Sequence, residues 1–185
     1  FPDGYGIPVK KGRHFEVLTH IANGQVSKVA GGSIEIRMTG NAHKRPAFPL
    51  FLSIIDYCKS GNAEYAIPAG VTHHETSMER TFRVSHGARL LGWGGHLHTY
   101  GSAFILLVNN KEISILKPGK NSSPSASPQS VFLESVAFAE KPIELREGDV
   151  IDMRALYEKP KDLFYPGAMG IGYLILDFGD VDVIP

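Results

Sequence analysis

No stretch of a dozen residues in this chain holds a helical period. Instead, 20 glycines and 12 prolines cut it into short runs rich in Val, Ile, Phe, Tyr and Leu. Breaks that frequent stop helices, whereas strands, usually about 3–10 residues long, fit between them. The chain is therefore expected to be all-β.

The clearest alternation lies at 33–39, where Ile34, Ile36 and Met38 share one face and Glu35 and Arg37 the other. That is the pattern of a half-buried antiparallel strand. Further strands are expected at 15–21, 48–57, 77–84, 88–98, 102–108, 112–116, 131–139, 143–145, 150–157 and 170–178. Pro49 marks an edge or an irregular start. Turns fall at Lys11-Gly12-Arg13, Ile67-Pro68-Ala69-Gly70, Ser85-His86-Gly87 and Arg146-Glu147-Gly148-Asp149. Asn109-Asn110 predicts a hairpin between 102–108 and 112–116. Residues 117–130 (KPGKNSSPSASPQS) form a polar excursion, read as a solvated surface loop. Ten or more strands with turn signals at roughly 8–12-residue spacing predict an antiparallel β-sandwich of jelly-roll type. With no internal repeat and no boundary signal, residues 1–185 are read as a single domain.

Lys+Arg and Asp+Glu both number 19, so the formal net charge is zero. Neither nucleic acid nor an anionic membrane would be drawn to such a chain by long-range attraction. No apolar run approaches the roughly 18 residues of a membrane span. Cys58 is the only cysteine, so no intramolecular disulfide can form and compartment is not readable from cysteine usage. The opening Phe1-Pro2-Asp3, without an initiator Met, is what a processed or trimmed product would carry.

The chemistry concentrates in Gly92-Trp93-Gly94-Gly95-His96-Leu97-His98-Thr99-Tyr100-Gly101. Side chains on a strand alternate faces, so His96 and His98 project together and can share one metal ion. Gly94, Gly95 and Gly101 leave room for a ligand or a close backbone. Trp93 is expected in the core. A third donor must come from another strand. Met169, packed between glycines in Gly167-Ala168-Met169-Gly170 at the head of the last strand, has a thioether placed to reach a metal. A His/His/Met set is soft and favours copper, particularly Cu(I), and three ligands leave a position open. The plain alternative is two surface histidines and a core-filling methionine. His20, His73 and His74 are additional candidate ligands. His73 and His74 are adjacent, so at most one of them joins a given site. His14, His43 and His86 sit in or beside loops and are read as solvated. Thr99 and Tyr100 are candidates to orient a liganding imidazole. Asp152 and Arg154 are read as a pair on a solvated face.

The run Gly95-His96-Leu97-His98-Thr99-Tyr100-Gly101, with Gly167-Ala168-Met169-Gly170 far downstream, resembles the second copper domain of the peptidylglycine α-hydroxylating and dopamine β-monooxygenase family. The turns Ile67-Pro68-Ala69-Gly70 and Arg146-Glu147-Gly148-Asp149 match that family's layout, and the resemblance covers residues 45–178. It implies that His96, His98 and Met169 hold the copper that binds oxygen. It also implies ascorbate or another reductant, hydroxylation of a C–H bond in a small-molecule or peptide substrate, and a secreted or periplasmic location. Phe15-Glu16-Val17-Leu18-Thr19-His20 resembles the family strand whose histidine binds the first, electron-transfer copper. The upstream domain that would complete that copper is not in this sequence, the family's disulfides cannot form, and its peptide- or amine-recognition residues find no match.

Two other readings use the same residues. One is a non-catalytic copper-binding or interaction module. The other is a cupin-like metalloprotein, whose H-x-H motif is soon followed by Glu and later by another His. Here Ser102-Ala103-Phe104-Ile105 follow, and no histidine comes after His98, which ranks the cupin last. No Ser/His/Asp set, phosphate-binding loop or basic aromatic patch stands out.

Overall fold

The structure is a computed structural model; it describes residues 2–9, 12–14, 16, 35, 44–117 and 133–179. The expected strands 15–21 and 33–39 (all but residues 16 and 35), His20, His43 and residues 118–130 of the polar loop lie outside the described residues. β1 (Tyr5–Gly6) and β2 (Arg45–Pro46) form a short parallel pair. Then come β3 (Phe48–Ser53), a helical turn α1 (Tyr57–Ser60), β4 (Glu64–Ile67), β5 (His73–Ser77) and β6 (Phe82–Arg83). The long strands follow: β7 (Ala88–Leu97), β8 (Gly101–Val108), β9 (Lys111–Leu116), β10 (Leu133–Leu145), β11 (Val150–Glu158) and β12 (Tyr165–Asp177).

One sheet has the order β10-β7-β12-β3, and the other β5-β11-β8-β9. Of these eight strands the first pairs with the last (β3 with β12), β5 with β11, β7 with β10, and β8 with β9, all antiparallel. A long double ribbon has thus been wrapped so that successive pairs fall in alternate sheets, which is the jelly roll. The chain is an all-β, antiparallel sandwich of that type, as its strand-length runs predict. Leu90, Trp93, Leu97, Leu174 and Leu176 of the first sheet meet Phe104, Leu106, Ile151, Met153 and Tyr157 of the second. The innermost hairpin turns on Asn109 and Asn110, both at positive φ (51° and 62°), the backbone that a two-residue turn matching strand twist requires. Among the described residues no helix is long and apolar enough to cross a membrane.

Several expected elements differ; the strands expected at 131–139 and 143–145 are one, β10, with a register shift between Phe138 and Ile143. The apolar run 48–57 stops being a strand at Ser53; Ile54 turns into the core, and Asp56 caps α1 by accepting from the Cys58 N–H at 3.1 Å. The expected strand 77–84 is strand only at Ser77, the end of β5, and in the two-residue β6: the Met78 N–H still bonds the carbonyl of its register neighbour Met153 on β11, but the Glu79 N–H turns away to the Ile54 carbonyl. Asp152 and Arg154 do not pair. Arg154 reaches Glu75 of β5 at 3.0 Å, and Asp152 accepts from the Met153 and Met78 N–H groups. The last strand starts earlier than expected, at Tyr165, so Met169 lies within it.

Candidate metal centre

β7 is flanked on both sides, by β10 and by β12. Its register with β12 sets Leu97 opposite Gly170 and His96 opposite Ile171. Partners in an antiparallel pair share a face. Leu97 and Ala168 face the core, so His96 and Ile171 face outward, and so does Met169, two residues before Ile171. β7 and its pairing end at Leu97; one further step of a regular ladder would bring His98 opposite Met169. On the other flank of Met169 its partner is Glu64 of β4. Met169 and Glu64 therefore share one row, His98 lies beside it just past the end of β7, and His96 stands in the next row.

The His96 and His98 ring centroids are 5.2 Å apart, the planes at 73°. Imidazole nitrogen binds metal at about 2.0–2.1 Å, so two rings this close can reach a common ion. His98 is buried, and its Nδ1 lies 2.8 Å from the Gly167 carbonyl oxygen. A carbonyl only accepts, so Nδ1 carries the hydrogen and Nε2 of the neutral ring keeps its lone pair. A backbone acceptor on one ring nitrogen is how proteins orient a histidine that ligates through the other. Glu64 Oε1 lies 3.7 Å from the same Nδ1. Among the described residues no three His, Cys, Asp or Glu side chains gather at one point. The donor that the neighbouring strand sets nearest the two imidazoles in register is the Met169 thioether, and two imidazoles with a thioether make a set that fits a soft ion.

Beneath this row lies Tyr157 of β11, from the opposite sheet. Its hydroxyl accepts from the His98 N–H at 3.2 Å and from the Met169 N–H at 2.8 Å, and donates to the Met169 carbonyl. Its ring meets Tyr65 at 6.1 Å and Tyr165 at 6.2 Å. Burial pushes Tyr65 and Tyr165 up to about 12 and raises Tyr157 as well.

The glycines do not open space for a ligand. A Cβ on Gly94 would overlap the Tyr173 ring, and one on Gly92 would come within 2.7 Å of Phe138. On the inner face a Cβ on Gly95 would sit 2.6 Å from the Phe104 ring. A Cβ on Gly101 would sit 2.5 Å from Leu97. Gly94 and Gly92 are covered by aromatic side chains of their own partner strands. Outward of His96 the face continues as an aromatic rim, Tyr173 against Phe51 at 6.1 Å, with Phe51 and Phe138 exposed.

The other candidates are placed elsewhere. His73 and His74 lie on β5, in the opposite sheet, bonded to Thr72 at 3.0 Å and Thr76 at 2.7 Å respectively. Tyr100 takes a positive φ of 71° in the turn after β7 and packs edge-on against Tyr165 at 5.3 Å, and Thr99 bonds the Tyr165 hydroxyl. Both thus act on a tyrosine of the cluster beneath the row. His14 and His86 are exposed, as expected, and Trp93 is in the core. Sequence reasoning missed Glu64 and Tyr157. Glu64 carried no local signal, and Tyr157 reads as an ordinary inward residue of an alternating strand.

No family model matches the chain, and no curated protein does. Solved structures resemble it in part, three of them as follows. The infectious bursal disease virus Gx strain is 8% identical over 83% of this chain and 39% of that one, with a TM-score of 0.36. The VP2 subviral particle of the same virus is 8% identical over 83% and 38%, with a TM-score of 0.38. Dimeric latent PorU from Porphyromonas gingivalis is 10% identical over 75% and 14%, with a TM-score of 0.33. The chain spans well under half the length of each, and likeness at this level carries no argument about function.

Proposed function

We propose that this chain binds one copper ion through His96, His98 and Met169. In this reading it acts as an oxygen-activating domain of the ascorbate-dependent monooxygenase type, hydroxylating a C–H bond of a small-molecule or peptide substrate. The observation that supports it is the shared outer face. Two imidazole ring centroids lie 5.2 Å apart, Met169 sits one step beyond the last paired residues on the neighbouring strand, and the Gly167 carbonyl takes the His98 Nδ1 and leaves Nε2 for an ion. Copper, when bound, would supply one-electron chemistry toward oxygen with a reductant such as ascorbate. The chain's own residues supply the rest. Gly167 fixes the His98 ring, and the rim of Tyr173, Phe51 and Phe138 offers an apolar surface against which a substrate's C–H group can lie beside His96.

The test is oxygen consumption by the copper-loaded protein with ascorbate, with and without candidate amides or amines. Substrate-dependent consumption that disappears in His96→Ala is the expected result. Tight copper binding without consumption would support the non-catalytic module instead, and absence of copper binding would end both.

A further inference from the structure

We infer that the Tyr157 hydroxyl is the positioning group of this site, holding His98 and Met169 at their mutual spacing; the inference rests on the copper reading above. β7 and β12 run in register as far as Leu97 and Gly170. At the next step a regular ladder would carry a bond from the His98 N–H to the Met169 carbonyl. The Tyr157 oxygen stands in that bond. It accepts from the His98 N–H at 3.2 Å and donates to the Met169 carbonyl, and it also accepts from the Met169 N–H at 2.8 Å. A hydroxyl offers one hydrogen and two acceptor sites, and all three are used here. One atom from the opposite sheet thus separates the two strands that carry the imidazole and the thioether.

The phenol is held from its own side too. Tyr157 is 1% exposed, with Tyr65 edge-on at 81° and Tyr165 on its other flank. Next to it the β11–β8 register shifts between Leu156 and Tyr157, and the Glu158 N–H donates to the Tyr100 carbonyl. Without the hydroxyl, the strands must either close to remake the direct bond or admit water. Either change moves His98 relative to Met169 while leaving both side chains intact.

The experiment compares the full chain with Tyr157→Phe and with Leu106→Ala, a core truncation on β8 that touches neither ligand strand's ladder at this step. Three quantities are read. They are amide exchange at His98 and Met169 in the metal-free protein, Cu(I) affinity against a chromogenic Cu(I) chelator, and copper–sulfur scattering by X-ray absorption. Tyr157→Phe should speed exchange at those two amides at least tenfold, weaken Cu(I) at least tenfold, and lose the sulfur contribution. Leu106→Ala should lower the melting temperature but change exchange only uniformly, and keep the affinity and the sulfur signal. Wild-type exchange at the two amides in Tyr157→Phe, or wild-type affinity and sulfur scattering there, overturns the inference while the copper reading stands. Cu(I) uptake that is unaffected by His96→Ala overturns the copper reading, and the positioning role with it.

Discussion

The chain carries two histidine pairs on strands, and their geometry differs. His73 and His74 are consecutive on β5, so they face opposite ways, and each is bonded to a threonine beside it. His96 and His98 are alternate at the end of β7, so they face the same way with rings 5.2 Å apart. β5 is the edge of its sheet and has one neighbour in the main path, whereas β7 has two. Among the described residues, the second pair ends one register step from a methionine on the neighbouring strand. In the proposed reading, two imidazoles become a metal site through strand period and through what the next strand displays, more than through being close in sequence.

The largest expected effect separates the pairs directly. His96→Ala or His98→Ala should weaken copper binding by more than about 100-fold, above the 10–100-fold of an outer partner, while His73→Ala or His74→Ala should change it by less than about twofold. Isothermal titration decides this, and equal losses from the two pairs would erase the contrast. The second expectation concerns the sheet that holds β7 in place. Gly95→Ala should cost about 1–3 kcal/mol in urea unfolding, because its Cβ would press on the root of the buried Phe104 ring. Gly94→Ala should cost less, since only the tip of half-buried Tyr173 must swing aside. Met169→Leu, which keeps the volume, should cost less than about 1.5 kcal/mol of stability. It should weaken Cu(I) about tenfold and Cu(II) little, because the thioether prefers Cu(I); equal loss for both ions would place the sulfur outside the site.

A last effect is in pH. Tyr65, packed against His74, and Tyr165, packed against Tyr100, are raised by burial to about 12 from 10.0. A folded value above the unfolded one means that this contribution to stability is complete below about pH 10 and is lost as pH rises towards 12. Urea midpoints should be level up to about pH 10 and fall above it, less steeply in Tyr65→Phe. A midpoint unchanged across that window would contradict the burial of these phenols.

Much of the fold was legible from the sequence because its signals are local. The alternation of 150–157 became β11 with an alternating burial pattern, and Asn109-Asn110 became the hairpin turn. The strand bearing His96 was legible for the same reason. What failed depended on contacts distant in sequence. Met78, Arg80, Phe82 and Val84 alternate well, yet the backbone leaves β11 at Glu79, whose N–H bonds the Ile54 carbonyl. The glycines around His96 suggested space, but whether a glycine faces a void or an aromatic ring depends on the partner strand, here Tyr173 and Phe138. Tyr157 lies 59 residues from His98, and no pattern within β11 marks its hydroxyl as a bridge.

The most direct measurement is anomalous diffraction at the copper edge from crystals soaked in copper. One strong peak within bonding distance of a ring nitrogen of His96 and of His98, with the Met169 sulfur on its third side, is the result expected. Copper density at His73 or His74, or none beside His96 and His98, would contradict it.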